Sequence, residues 1–298
     1  LPYLKRFVNL ITEEYDLYLT DEPFANGLLA FIISSIKNKP LTVTLRGWGD
    51  LTNAHNEYSN LKFFFLRLIS NFVLSKADRI IVLSKATATE LNKIYNLRRF
   101  YVIERPIDVK YYSGGKRSIK YSIPTILTVT NLRYKNKFRG VVEVIEVINK
   151  IKKKTGNDVV LLVAGGGKYL DELKEFAKKF DFVEVLGFRK DVPDVLASAD
   201  IFVYVSYLDA FPSVILEAQA AGLPVICNNY GGLPESCGWA GIVVKDKKDL
   251  EQVLSKLLTN KKIQRKLRYK SYKKMKKYNA VAVEKYVRVW DETIKEYK

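Results

Sequence analysis

Short apolar, β-rich runs alternate with longer helical patterns along nearly the whole chain. Strands are predicted over 16–20, 41–46, 79–84, 100–104, 125–130, 159–164, 201–206 and 224–227. Helices fit between them over 24–36, 61–75, 86–95, 139–153, 169–179, 213–221 and 250–258. This alternation predicts an α/β chain whose parallel sheets are covered by helices on both faces. The polar, Gly-containing stretch from Ser113 to Ser118 is the best domain boundary. It divides the chain into a first domain over 1–117 and a second over 118–277. The first opens inside a βα series, so an incomplete domain with residues missing upstream of Leu1 is expected. Over 278–298, Ala282, Tyr286, Val289, Trp290 and Ile294 recur at helical spacing. That segment is expected to dock an apolar stripe, packing back towards the first domain.

A chain of 298 residues is close to twice the rough 150 of one domain. With 48% hydrophobic and 28% charged residues and two Cys, it excludes collagen-like, disordered and disulfide-framework classes. His55 is the sole imidazole, so a His-based triad or a multi-His metal site would need unusual substitutes. Chemistry must then rest on carboxylates, Lys, Arg, hydroxyls or bound ligands. His55 itself reads as a loop or surface residue. Cys227 and Cys237 fit a reduced, cytoplasmic protein. No apolar run reaches the roughly 18 residues of a spanning helix. The only Met is Met275, so Leu1 is not an obvious translation start, nor does the N-terminus read as a signal peptide.

Fifty Lys and Arg against 32 Asp and Glu leave a net charge of +18, enough to attract phosphates, anionic lipid or nucleic acid. From Lys261 to Lys277 there are ten basic residues and no acid. The stretch reads as a solvated helix face or as a grip on an anionic surface. Sparse Met, His and Gln beside abundant Lys and Glu also fit a thermophile. Phe63, Phe64, Phe65 and Leu66 crowd one helix; core packing is the default reading, and partial membrane insertion the sharper one.

The most informative segment runs from Asp209 to Ile226: a strand end, a turn, a helix opening near Ser213, a stop at Gly222 and another strand. In a parallel sheet this sets Asp209 and the helix start at the carboxyl edge of the strands, where ligands bind. The first N–H groups, at Ser213 and Val214, would face a phosphate. Glu217, about one turn in, can bind vicinal hydroxyls. A charge inside Val-Ile-Leu-Glu-Ala-Gln-Ala-Ala-Gly is costly without a partner, so a surface ion pair explains it poorly. Gly165-Gly166-Gly167-Lys168 fails the G-x-x-x-x-G-K-S/T pattern and reads as a tight βα turn.

With these residues the chain resembles the retaining, GT-B-fold glycosyltransferases of family 4. Their E-x7-E segment corresponds to Asp209 through Val225, with Asp for the first Glu and Pro212 where Gly is frequent. Thr130-Asn131-Leu132 leading to Arg139-Gly140, Val163-Ala164-Gly165-Gly166-Gly167, Val185-Leu186-Gly187-Phe188 and Gly231-Gly232-Leu233-Pro234-Glu235 follow in family order. The first half matches more loosely: Thr44-Leu45-Arg46-Gly47 takes the place of a t-x-H-G segment, and Ile103-Glu104-Arg105-Pro106-Ile107-Asp108 that of i-p-N-g-v-D.

The resemblance implies two Rossmann-like domains facing a central cleft, and transfer of a sugar from a nucleotide-diphosphate donor with retention of configuration. It implies that Glu217 binds the ribose, that Asp209 contacts the transferred sugar, and that Arg139 holds the diphosphate. Lys137 and Arg133 are candidates for the preceding cation. Phe211, Ser213 and Val214 would line the donor, Gly165 and Gly166 would permit its close approach, and groups near Phe188 and Arg189 would frame the base. Arg46, in place of a His, would lie near the sugar. Neither metal nor other cofactor is expected. The acceptor would be a glycan, a lipid-linked molecule or another hydroxyl compound. The cytoplasm is the expected location, with the inner membrane face as an alternative. An anionic membrane surface is a further candidate partner; nucleic acid is not expected. Two other classes stay open: a non-catalytic sugar-nucleotide or glycan binder, and a basic protein of membrane surfaces or nucleic acid.

Overall fold

A computed structural model describes residues 12–47 and 59–297. The chain forms two compact units, one of residues 1–105 and 280–298, the other of 106–279. The division falls at Arg105/Pro106 rather than at 117/118. The connecting stretch is fastened by its backbone to the second unit: Lys116 N donates to Asp194 Oδ1 at 2.8 Å, and Ser118 N and Ile119 N donate to Ser198 Oγ at 3.1 and 3.0 Å.

In the first unit β1 (Tyr18–Thr20), α1 (Ala25–Ile36), β2 (Leu41–Leu45), α2 (Asn60–Lys76), β3 (Arg79–Val82), α3 (Lys85–Tyr95) and β4 (Phe100–Val102) alternate. The described strands pair in the order β1-β2-β3-β4, all parallel. Ser59 and Ser84 cap α2 and α3 by accepting from Lys62 N and Thr87 N. The crowded aromatics of α2 are not core. Only Ser70, Val73 and Leu74 of that helix are buried, while Phe64 and Phe65 are each 55% exposed. His55 and residues 48–50 lie outside the described residues.

The second unit holds α4 (Val109–Ser113), β5 (Thr125–Val129), α5 (Lys135–Thr155), β6 (Val160–Ala164), α6 (Leu170–Ala177), β7 (Val183–Gly187) and α7 (Val192–Ala197). It continues with β8 (Ile201–Tyr204), α8 (Ser213–Ala220), β9 (Val225–Asn228), α9 (Leu233–Cys237), β10 (Ile242–Val244), α10 (Lys247–Thr259) and α11 (Lys261–Tyr297). Six parallel strands pair in the order β10-β9-β8-β5-β6-β7. The strands β6 and β8 are apolar without interruption and buried throughout, because both faces of the sheet are covered. Ile126, Leu161, Val203 and Ile226 join one core with α5 and α10, and their neighbours Leu127, Leu162, Phe202 and Val225 join another with α7 and α8. The α/β class and parallel sheets expected from the sequence are thus what the chain adopts.

Two features of this sheet matter for chemistry. From β5 the chain proceeds to β6 on one side, while β8 proceeds to β9 on the other, so the strand order reverses between the neighbours β5 and β8. The loops leaving such a switch point diverge and open a crevice at the carboxyl edge. The helix after β5 also begins four residues earlier than its apolar period shows, at Lys135, so Lys137 and Arg139 belong to its first turns.

Helix α11 is continuous across the two units, contributing 261–279 to the second and 280–297 to the first. In the first unit Val289 packs on Ile81 and Ile103, with Tyr286 beside it, and Arg79 pairs with Glu296.

Gly140 allows α5 to approach β8. A methyl there would lie 1.8 Å from the Val205 carbonyl oxygen, a backbone atom that has no room to yield. Gly140→Ala is therefore expected to destabilise the protein by about 1–3 kcal/mol, measured as a lowered urea midpoint with an unchanged slope.

Candidate functional site

The loops after β5 and β8 bring Lys137 and Asp209 together at the switch point. Lys137 Nζ lies 2.8 Å from Asp209 Oδ1, with the two side chains only 13% and 14% exposed. The other carboxylate oxygen accepts from Tyr204 Oη at 2.8 Å and from Ser206 Oγ at 2.6 Å. Burial, then the Asp209 charge, push the Tyr204 phenol well above its ordinary range, so it remains a donor. A buried amide holds the loop itself: Asn228 Oδ1 accepts from Ser206 N at 2.9 Å, and Asn228 Nδ2 donates to Ser206 O at 3.0 Å. Gly232 N donates to Asp209 O at 3.2 Å, tying in the loop of the Gly231–Glu235 motif. Asp209 is thus fixed at one point with its charge matched.

Helix α8 follows directly. Phe211 is buried, and Pro212, which has no N–H, sits at the cap position, so Ser213 and Val214 supply the leading N–H groups. Glu217, one turn in, is half-buried between Leu216 and Ala218, each fully buried. Its partner comes from the connecting segment: the Tyr112 hydroxyl donates to the Glu217 carboxylate. Burial, then the Glu217 charge, push the Tyr112 phenol up to about 12.

Arg139, on the exposed side of α5, lies with its guanidinium 4.7 Å from the centre of the Tyr207 ring. The Tyr207 hydroxyl donates to Glu143 Oε2 at 2.7 Å, and its ring meets Tyr230 edge-on at 5.7 Å. Burial and Glu143 push the Tyr207 phenol up to about 12. A buried carboxylate thereby fixes the ring on which the arginine rests. Arg133 is exposed, its guanidinium 5.7 Å from the Tyr134 ring.

A cavity of about 300 Å³ opens at the ends of β5 and β6, lined among others by Thr130, Asn131, Gly165, Gly166, Phe188 and Arg189. Gly165 has φ +147°, and a Cβ on it would lie 1.8 Å from Thr130 O. The glycine thus serves first to pack the β5 and β6 ends together. Phe188 stands 73% exposed at the rim, while Arg189 is held by Asp191 through Nε at 2.8 Å and a second nitrogen at 2.6 Å.

Every predicted site residue but one therefore lies in the second unit. The exception, Arg46, follows β2 in the first unit and pairs there with Asp21. Burial and the neighbouring Arg105 lower its pKa. Tyr204 and Ser206, two residues apart at a strand end, had an alternation signal that could have flagged them. Tyr112, Tyr207 and Glu143 had none, since each meets its partner through the fold. Among the described residues no cluster of His, Cys, Asp and Glu could hold a metal ion, and no helix is long and apolar enough to cross a membrane.

Residues 117–274 match the family model of glycosyl transferases group 1, and residues 1–111 that of glycosyltransferase family 4. An uncharacterized glycosyltransferase of Methanocaldococcus jannaschii, MJ1069, is 25% identical over 314 aligned residues, covering 100% of this chain and 78% of its own. The gpi3 subunit of phosphatidylinositol N-acetylglucosaminyltransferase from Schizosaccharomyces pombe is 28% identical over 63% of this chain and 42% of its own. Among solved structures, Anabaena Alr3699/HepE in complex with UDP-glucose aligns with a TM-score of 0.72 at 20% identity, over 98% of this chain and 80% of that one. A glycosyltransferase from Rickettsia africae aligns with a TM-score of 0.73 at 18% identity, covering 99% and 79%. The chain belongs to the glycosyl transferases group 1 family, and its two parallel-sheet units have the GT-B fold.

The Lys137–Asp209 pair gives a direct test. Lys137→Met leaves a largely buried carboxylate without its cation and is expected to cost about 1–3 kcal/mol in urea unfolding. Asp209→Asn in the same background should cost less than it does alone, with a coupling of about 0.5–3 kcal/mol in the double-mutant cycle.

Proposed function

We propose that this group 1 glycosyl transferase moves a sugar from a nucleotide-diphosphate donor to a hydroxyl acceptor, with retention at the anomeric carbon, as a member of family 4. The observation that carries the reading is the convergence at the switch point. A fixed carboxylate at Asp209, cations at Lys137 and Arg139, the start of α8 and the Glu217 carboxylate all follow the carboxyl ends of the neighbouring strands β5 and β8, and they are the kinds of group that a sugar, a diphosphate and a ribose require.

In this reading Glu217 takes the ribose hydroxyls, with Tyr112 steadying the carboxylate. Its phenol stays protonated at neutral pH and donates throughout. The diphosphate meets the Ser213 and Val214 N–H groups and the cations of α5. Arg139 swings from the Tyr207 ring or reaches over it, with Arg133 as a further cation. Charge develops on the leaving diphosphate, so cations held against it favour the transition state over the ground state. They supply what a metal supplies elsewhere, and no metal enters the scheme. Asp209 contacts the transferred sugar once donor binding draws Lys137 towards phosphate. The cavity beside Gly165, Gly166 and Phe188 takes the base. The first unit, with Arg46, receives the acceptor, a glycan or lipid-linked hydroxyl. The second binds the donor. The reaction is placed in the cytoplasm, on the inner membrane face when the acceptor carries lipid.

Calorimetry with UDP, GDP and ADP tests the donor site. Glu217→Ala should weaken binding of the preferred nucleotide by about 1.5–3 kcal/mol, roughly ten-fold to a hundred-fold, and Tyr112→Phe by about 1 kcal/mol. Unchanged affinity in both Glu217→Ala and Arg139→Ala would refute the assignment. Proton coupling constants of the product report the anomeric outcome, and an inverted product would remove retention. Absence of transfer with every donor that binds would favour the non-catalytic binder.

A further inference from the structure

Helix α11 sorts its cations by face. Between 261 and 279, Gln264, Leu267, Ser271, Met275 and Tyr278 are buried, at spacings of three and four that turn one side of the helix onto the second unit. Cations on that side have internal work. Arg268 donates to Asp200 O at 3.1 Å, and Lys274 Nζ donates to Gln219 Oε1 at 2.8 Å and to Ser236 O at 2.6 Å. The opposite side carries Lys262, Arg265, Lys266, Lys273, Lys276 and Lys277, all exposed. Tyr269 and Tyr272 stand among them, 64% and 61% exposed. At 3.6 residues per turn these eight share an arc of about 140° over roughly 22 Å of helix.

None of the six cations takes part in an ion pair among the described residues, and the sequence has no acid between 261 and 279. Like charges one turn apart, such as Lys262 with Lys266 and Lys273 with Lys277, repel each other. The face therefore opposes helix stability and has no role within the unit.

We propose that the exposed face of α11 over 262–277 docks the protein on an anionic phospholipid surface. The charge is of the matching sign and is concentrated on one side. Five of the six cations are lysines, compact charges suited to a diffuse negative surface rather than to forked recognition of single phosphates. The two tyrosines present an apolar ring and a polar tip, the combination that settles at the headgroup level. The helix is sunk into its unit along this whole length, so it meets a plane but cannot enter a nucleic-acid groove, which needs a projecting helix. This surface adds to the inner-face location proposed above, and binding alone reads it out.

Co-sedimentation of the full chain with equimolar phosphatidylglycerol–phosphatidylcholine vesicles, and with pure phosphatidylcholine vesicles, provides the test at physiological ionic strength. Binding to the anionic vesicles should exceed that to the neutral ones by about ten-fold or more and fall steeply with added salt. The triple variant Lys266→Glu, Lys273→Glu, Lys277→Glu should lose about ten-fold or more of that binding, and the corresponding Gln variant an intermediate amount. Nucleotide affinity by calorimetry should be unchanged in both, which separates loss of this surface from loss of the fold or of the donor site. Equal vesicle binding by variant and parent, or no binding of the parent to anionic vesicles, would overturn the proposal. Displacement from the vesicles by duplex DNA at equal phosphate concentration would also overturn it, in favour of a nucleic-acid partner.

Discussion

The contact between Lys137 and Asp209 is the constraint around which the second unit is arranged. A carboxylate with 14% of its side-chain surface exposed is costly to bury unless its charge is answered and its oxygens are occupied. The lysine answers the charge, and Tyr204 and Ser206 occupy the second oxygen. Each depends on the parallel sheet: Lys137 reaches in because α5 starts at the end of β5, and the two hydroxyls because β8 ends beside it. The pair is satisfied, and it sits at the strand edge where the loops part.

The same economy appears in the surrounding carboxylates. Glu217 has the Tyr112 phenol, and Glu143 has that of Tyr207. In both pairs burial and a neighbouring carboxylate raise the phenol pKa, which keeps the proton on the donor oxygen. The glycines perform a different task. Gly140 and Gly165 admit backbone where a methyl would collide with Val205 O and Thr130 O, so helix α5 and the β6 loop can close on the strand ends. Polar pairing sets which groups are charged, and the missing methyls set how near they stand.

Helix α11 shows the reverse situation, charge that the fold does not use. Its inward face is consumed by Asp200, Gln219 and the Ser236 carbonyl, while its outward face keeps six cations without an ion-pair partner among the described residues. Lys274 connects the two stories, because Gln219 lies two residues from Glu217 on α8. The helix that presents the basic face is also hydrogen-bonded to the helix that carries Glu217.

The sequence by itself determined what depends on local pattern. Alternation of apolar runs with helical periods gave the α/β class and parallel sheets, and the segment from Asp209 to Val225 gave both the sheet edge and two of its carboxylates. Short elements such as β10 and α7 were not legible, since three to six residues carry too little periodicity to stand out. The aromatic crowd on α2 was misleading, because hydrophobic character does not specify which side of a helix finds a neighbour. Only the tertiary structure decided partnership. That Lys137 rather than Arg139 reaches Asp209, that Arg139 rests on Tyr207, and that Tyr112 serves Glu217 follow from where the switch point and the connecting segment bring distant residues. Hydrogen bonds and ion pairs act over a few ångströms of space, and spacing along the chain does not encode that distance until the sheet has formed.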